Sequence, residues 1–561
     1  MTKKILIYQV LPRLYGNMAK KTKFDGSIVD NGCGKFADFT DDRLTEIKNS
    51  GFTHIWYTGV IEHATKTDYS KFKIAADHPA VVKGRAGSPY AIKDYYDVDP
   101  DLATDVNKRM NEYEDLIFRT HKAGLKVIMD FVPNHVARSY HSDAKPRGVR
   151  DLGADDITDV RFDRDNNFYY LPGEKLCAQF DMKGEAKEDY VEFPCKVTGD
   201  DYFANNPGVY QWYETVKLNY GRDYTNGNRL DIHPIPSTWN KMRDILLFWA
   251  KKKIDGFRCD MAEMVPTEFW EWVIPQVKEK YPSIIFIAET YNPAQYRDYI
   301  FRGHFDYLYD KVGLYDTLRA IAECKESASA ITGCWQRLDG LAPSMLTFME
   351  NHDEQRLASS HVLGDATKGR PAMFVAATVS NAPTMVYFGQ EFGEPAEGKQ
   401  GFSGDDGKTS IFDYSVVPTI QRKLNGKSTK AEKDLESFYS RLLTICRDNE
   451  CIYNGTFFDL MYVNYQNKSF DHNREYAYVR RSDERILIFV ANFSDEKKNN
   501  LINLPQHMFD FLGIKQGKVS ATELMSGKTV KIELSAESPL KVSVPAQSGV
   551  ILEVLTKDEG R

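Results

Sequence analysis

The sequence predicts an α/β protein built on a (β/α)8 TIM barrel. An irregular subdomain is inserted after the third strand, and an antiparallel β-sandwich domain follows at the C-terminus. Three observations carry this prediction. Eight short apolar runs recur between residues 5 and 388, in alternation with helical patterns. The runs are apolar throughout instead of alternating with polar residues, as in parallel strands covered by helices. After about residue 450, strand patterns succeed one another with no helical pattern beyond a turn near 505–512, which indicates a separate antiparallel β domain.

In chain order, the first run is Ile5–Tyr8. Thr40 is placed to cap a helix through Asn49, closed by Gly51, ahead of the strand at 53–58. A helix over 112–123, with Gly124 behind it, feeds the strand 126–131. From Pro133 to Asp231 the alternation stops. Asp, Asn, Gly and Tyr dominate there, with turns such as Leu171-Pro172-Gly173 and Asn205-Asn206-Pro207-Gly208. It resumes with a helix over 238–253 and the strand 255–260. A helix over 268–280 and strands at 283–288, 305–309, 345–349 and 384–388 complete eight, the count of a barrel whose active site lies at the C-terminal strand ends. The predicted division is barrel 1–132, insertion 133–231, barrel 232–450 and β-sandwich 451–561. Strands of the last part are read at 457–465, 475–481, 486–492, 518–524, 528–534 and 550–554.

Composition narrows the partners. The 561 residues carry 73 basic against 80 acidic side chains, a net charge of -7, which argues against a nucleic-acid partner. No apolar run reaches the ~18 residues that suggest a membrane span. The N-terminal apolar stretch is short and broken by Gln9, Pro12 and Arg13, so it reads as a strand and not as a signal peptide. The eight cysteines show no CxxC spacing and are expected to be free thiols in a reducing compartment, the cytoplasm. The oligomeric state is left open.

The polar residues at the strand ends point to chemistry. Arg258 and Asp260 stand two apart on one strand and therefore share a face, where the arginine favours an ionised aspartate. The third strand ends Asp130-Phe131-Val132-Pro133-Asn134-His135. The fifth runs from Ile284 into Glu289, and the seventh ends Glu350-Asn351-His352-Asp353. Each of these, alone, is the pattern of an ordinary structural residue. Four such ends at one barrel mouth suit glycoside hydrolysis with retention. Asp260 would attack the sugar and Glu289 would serve as acid and base. Asp353 would orient hydroxyls and favour the cationic transition state, while His135 and His352 donate hydrogen bonds. Metal-dependent hydrolysis on Asp130, His135, His352 and Asp353 is the rival, but no His-x-His or His-Glu-x-x-His spacing supports it.

These segments resemble the signature regions of the α-amylase superfamily, glycoside hydrolase family 13. The stretches 130–135, 256–260, 288–289 and 351–353 resemble its four regions, and 88–100 resembles the segment after the second strand. Lys217-Leu218-Asn219 resembles a region of the inserted subdomain, in the form found in cyclomaltodextrinases and neopullulanases. The resemblance implies Asp260 as nucleophile, Glu289 as acid/base and Asp353 as transition-state stabiliser. It implies sugar contacts from Tyr90, which stacks on the sugar at the cleavage point, and from His135, Arg258, His352 and Arg356. It implies no cofactor for the chemistry, but a structural calcium with Asn134 as a ligand. Asp163-x-Asp165-x-Asn167 reads as an Asx-rich turn, lacking the Gly and distal Glu of a calcium loop. One departure stands out: many α-amylases carry Lys-His three and four positions after the nucleophile, where this chain has Glu263 and Met264. The expected activity is hydrolysis of α-1,4 bonds in maltooligosaccharides or starch-like chains. The alternatives are a transglycosidase or a member acting on α-1,6 bonds, cyclodextrins or disaccharides. A catalytically dead binding member is disfavoured because all three carboxylates are present.

Overall fold

The computed structural model describes residues 3–556; the last five residues of the predicted C-terminal domain lie outside them. Eight parallel strands close into a barrel: β1 (Leu6–Val10), β2 (His54–Tyr57), β3 (Lys126–Phe131), β4 (Gly256–Cys259), β5 (Ile285–Ala288), β6 (Tyr307–Tyr309), β7 (Met345–Phe348) and β8 (Thr384–Tyr387). Each pairs with its sequence neighbours, and β8 pairs with β1 through Thr384 and Leu6. The runs are apolar throughout because both faces of each strand are covered. One face packs on the outer helices. The other fills the barrel with Ile7, Trp56, Ile128, Ile287, Leu346 and Met385, all at most 2% exposed. That plug is the floor on which the mouth is built.

The outer helices begin and end where local chemistry dictates. Helix α1 (Asp41–Asn49) starts at Thr40, whose hydroxyl accepts from the Arg43 N–H at 3.4 Å. Helices α2 (Arg109–Lys122), α3 (Ser237–Lys251) and α4 (Thr267–Lys280) bury one apolar stripe each. Helix α5 (Arg370–Thr378) differs: every residue after Arg370 is buried, because it lies between barrel and C-terminal domain. There the Phe374 ring sits over Gly549, where a Cβ would lie 2.7 Å from it. Helix α6 (Lys430–Asp448) opens with a capping box between Thr429 and Glu432.

Between β3 and α3 there are only strands of two or three residues. His135–Ala137 pairs antiparallel with Thr215–Lys217, setting Lys217 opposite His135. This pairing returns the insertion to the barrel mouth.

The C-terminal part is antiparallel. Strands β9 (Thr456–Asp459), β10 (Glu475–Arg481), β11 (Arg485–Asn492), β13 (Gly517–Glu523), β14 (Lys528–Leu534) and β16 (Ser548–Leu555) form one sheet in the order β9-β10-β11-β16-β13-β14. Strands β12 (Lys498–Ile502) and β15 (Leu540–Val544) pair as a second. Three expectations need correction. The strand read over 457–465 stops at Asp459, whose carboxylate accepts from the Met461 N–H at 2.6 Å and starts a helical turn. β12 and β15 escaped notice because polar residues interrupt them: Lys498, Asn499, Lys541 and Ser543 lie at least partly exposed, and Asn500 is buried with its amide on Glu475. The turn expected near 505–512 is helix α7 (Gln506–Leu512), closed by Gly513 at φ 62°. Among the described residues, no helix is long and apolar enough to cross a membrane.

Candidate active site

A cleft enclosing about 240 Å³ opens at the C-terminal ends of the barrel strands; Tyr90, His135, Asp260, Glu289 and Asp353 line it. Parallel pairing delivers these residues. Arg258 stands opposite Asp130 of β3 and Ile287 of β5, and strand parity turns Arg258 and Asp260 the same way. The Arg258 guanidinium lies beneath the cleft, with Nη1 2.7 Å from Asp260 Oδ1 and Nη2 2.8 Å from Glu289 Oε2. Asp130 Oδ1 is 3.5 Å from the same Nη1, and Nε donates to the Tyr309 hydroxyl at 3.2 Å. The faces of Trp56 and Tyr90 flank the guanidinium at 5.2 and 5.3 Å.

The electrostatics differ from the sequence expectation in one respect. Burial, the largest influence, pushes the Asp260 carboxyl well above the ordinary carboxylate range, against the pull of Arg258, and the Glu289 charge adds to the push. Asp130 is raised to about 6 by burial, again with Arg258 opposing. One guanidinium thus faces two buried carboxyl groups, Asp130 and Asp260, that burial pushes toward their protonated forms. A retaining glycosidase needs one carboxylate and one carboxylic acid.

The two histidines are held neutral. Burial lowers His135 to about 3, and Lys217 adds to the shift. Burial and then Arg258 lower His352. The His135 Nε2 is 3.9 Å from Asp260 Oδ2. His352 is joined to the Gln9 amide through Nδ1 at 2.8 Å and to the Tyr90 hydroxyl through Nε2 at 2.6 Å. Its Nε2 is also 3.1 Å from Asp353, whose side chain is 44% exposed.

Two predicted residues sit elsewhere. Arg356 does not reach the cleft. It is fully buried, ion-paired with Glu350 at 2.9 Å, bonded to the Phe388 carbonyl and Thr409, and stacked on Tyr387 at 4.1 Å. Asn134 meets an ammonium instead of a metal: its Oδ1 accepts from Lys217 Nζ at 2.6 Å, and that Nζ is 2.7 Å from Asp201. The residues present therefore do not fit a calcium ion at Asn134, since its one ligand oxygen is already turned to a cation. Among the described residues no group of three or more His, Cys, Asp or Glu side chains could hold a metal. Asp163 accepts from the Asp165 N–H at 2.8 Å, which is the Asx turn expected there.

Other lining residues escaped sequence reasoning. Trp212 stands 5.1 Å from the His135 ring, and Phe412 faces the cleft from the loop after β8. A Lys83–Glu214 ion pair at 2.9 Å forms part of the wall. Nothing in their local sequence marks them. Tyr291 was the most legible of those missed, because it stands two residues past Glu289 and shares its direction.

The family model for the alpha amylase catalytic domain matches residues 22–452. The chain is 24% identical over 496 residues to the "Alpha-amylase MalA" of Haloarcula japonica, covering 88% of this chain but only 55% of that protein. It is 21% identical over 539 residues to a cyclomaltodextrinase of Thermoanaerobacter pseudethanolicus, covering 93% and 76%. The fold matches that of the noncanonic maltogenic alpha-amylase AmyB from Thermotoga neapolitana with a TM-score of 0.60 at 20% identity, over 99% of both chains. Barrel, cleft and family match agree: the chain belongs to the alpha-amylase family through its catalytic domain.

Proposed function

We propose that the protein is a retaining glycoside hydrolase that cleaves α-1,4-glucosidic bonds in maltooligosaccharides or starch-like α-glucans. The observation that carries this reading is Arg258, whose two terminal nitrogens contact Asp260 and Glu289 at the floor of one cleft. Asp260 attacks the anomeric carbon while Glu289 gives a proton to the departing oxygen. Water, activated by the Glu289 carboxylate, then releases the sugar from Asp260. The half-buried Asp353 binds sugar hydroxyls and stabilises the positive charge that develops on the ring. Neutral His135 and His352 serve as hydrogen-bond partners, and the Tyr90 face supports the sugar at the cleavage point. The chemistry needs no cofactor. Free thiols at all eight cysteines support a reducing, cytoplasmic setting.

A second reading, hydrolysis of cyclodextrins or transfer to a sugar acceptor, is favoured by the likeness to a cyclomaltodextrinase and by Lys217-Leu218-Asn219. A product profile on maltoheptaose, pullulan, cyclodextrin and sucrose separates the readings: the first expects maltoheptaose to be the best substrate, with short maltooligosaccharides as products. Asp260→Asn and Glu289→Gln should each lower kcat/KM on maltoheptaose by about 10³-fold or more with an unchanged melting temperature. Near-normal turnover by either variant removes the assignment.

A further inference from the structure

We propose that Tyr291 is a positioning residue for the acid/base Glu289, held in place by Glu263, one of the two residues at which this chain departs from the common family pattern. The inference rests on the reading of Glu289 as proton donor and deepens it.

The geometry assigns different tasks to the two oxygens of Glu289. Oε2 accepts from the Met261 N–H at 2.7 Å and lies 2.8 Å from Arg258 Nη2. The Met261 N–H and the guanidinium charge beside Oε2 disfavour a proton there, so the transferable proton belongs on Oε1. The only hydrogen bond to Oε1 among the described residues comes from the Tyr291 hydroxyl, at 2.6 Å. Tyr291 lines the cleft, so this contact stands where the leaving sugar arrives. Burial and the neighbouring Glu289 charge raise the Tyr291 hydroxyl far above the working range, so it remains a donor.

The loop carrying Tyr291 is fixed from the nucleophile strand. The Glu263 carboxylate oxygen Oε2 accepts from the N–H groups of Tyr291 and Asn292, both at 2.9 Å. Met261, at φ 42°, turns the chain between Asp260 and Glu263. One turn therefore carries the nucleophile, the N–H on Glu289 Oε2 and the anchor of the loop that addresses Oε1.

In the glycosylation step a bond forms between an Asp260 oxygen and the anomeric carbon as the glycosidic bond breaks. The electron pair of that bond goes to the leaving oxygen, which takes the proton from Glu289 Oε1. Oε1 gains negative charge, and the Tyr291 O–H, keeping its own proton, strengthens its hydrogen bond to it. An interaction that grows as the proton leaves lowers the barrier to proton donation without tightening substrate binding.

The test compares kcat/KM, which reports glycosylation alone, on maltoheptaose and on α-maltosyl fluoride, whose fluoride leaves with little protonation. Tyr291→Phe should lose about 10- to 100-fold on maltoheptaose and less than about 3-fold on the fluoride, with an unchanged melting temperature. Glu263→Ala, which keeps the hydroxyl but frees its loop, should show the same split to a smaller degree. An equal loss on both substrates, or no loss on maltoheptaose, overturns the proposal. Glu289→Gln separates the underlying reading from this one: it must show the split itself if Glu289 is the proton donor. If it does not, the acid/base assignment fails whatever the Tyr291 variant does.

Discussion

Arg258 holds its position because several carboxyl groups converge on it. Deleting a buried charge that compensates others costs far more than the pair contributes to stability. Burial without a compensating charge has the opposite outcome at Glu62, away from the cleft: the group stays neutral. Glu62 is 1% exposed and neither side-chain oxygen has a hydrogen-bond partner. Burial, with the charges of Asp97 and Asp94, lifts its carboxyl to about 9. In the unfolded chain it titrates near 4.5. Between these values the unfolded state has lost a proton that the folded state keeps, so Glu62 makes stability fall as pH rises through that window. Glu62→Gln removes this slope. Its melting temperature should exceed that of the wild type at pH 8 by the equivalent of up to about 5 kcal/mol, and match it near pH 4.5. Thermal melts across that range check it, and a variant less stable at pH 8 would refute the neutral, buried state. At this scale strand parity made Arg258 and Asp260 legible as a pair. Arg356 was misplaced because spacing after a turn does not say which way a side chain points, and here Glu350 draws it into the core.

At the scale of elements, the join between β3 and the insertion decides the shape of the mouth. The strand His135–Ala137 lies against Thr215–Lys217, and the buried Lys217 ammonium ties Asn134 to Asp201 across it. Asn134 in turn donates to the Gly199 carbonyl at 2.8 Å and to His135 Nδ1 at 3.1 Å. An internal ammonium thus organises the segment that presents His135. Lys217→Met should lower stability by roughly 1–3 kcal/mol and reduce activity, since His135 loses its support. A chelator should leave the melting temperature of the wild type unchanged. Chelator-sensitive melting would show that a metal, and not Lys217, organises this join. Lys217 and Asn134 are both visible as motif residues, but their contact is not: 83 positions separate them, and only the pairing of two short strands brings them together.

Over the whole molecule, what the sequence made legible follows from how each part buries its surface. The barrel strands are covered on both faces, so each is a clean apolar run, and all eight could be read in order. In the C-terminal part β10 and β11 are buried on both faces and could be read, whereas β12 and β15, interrupted by polar residues, were missed. The insertion has little regular structure, so its path could not be read, and Trp212 was missed with it. Phe412, on the loop after β8, was lost for the same reason. The candidate chemistry is legible where strand ends carry it; the shape of the cleft walls is not. The central claim is a double displacement at Asp260, and the anomeric configuration of the first-formed product tests it most directly. Proton NMR of maltoheptaose hydrolysis, recorded before mutarotation, should show the α-anomer appearing first. A β-anomer appearing first would require single displacement by water and would contradict the role of Asp260 as nucleophile.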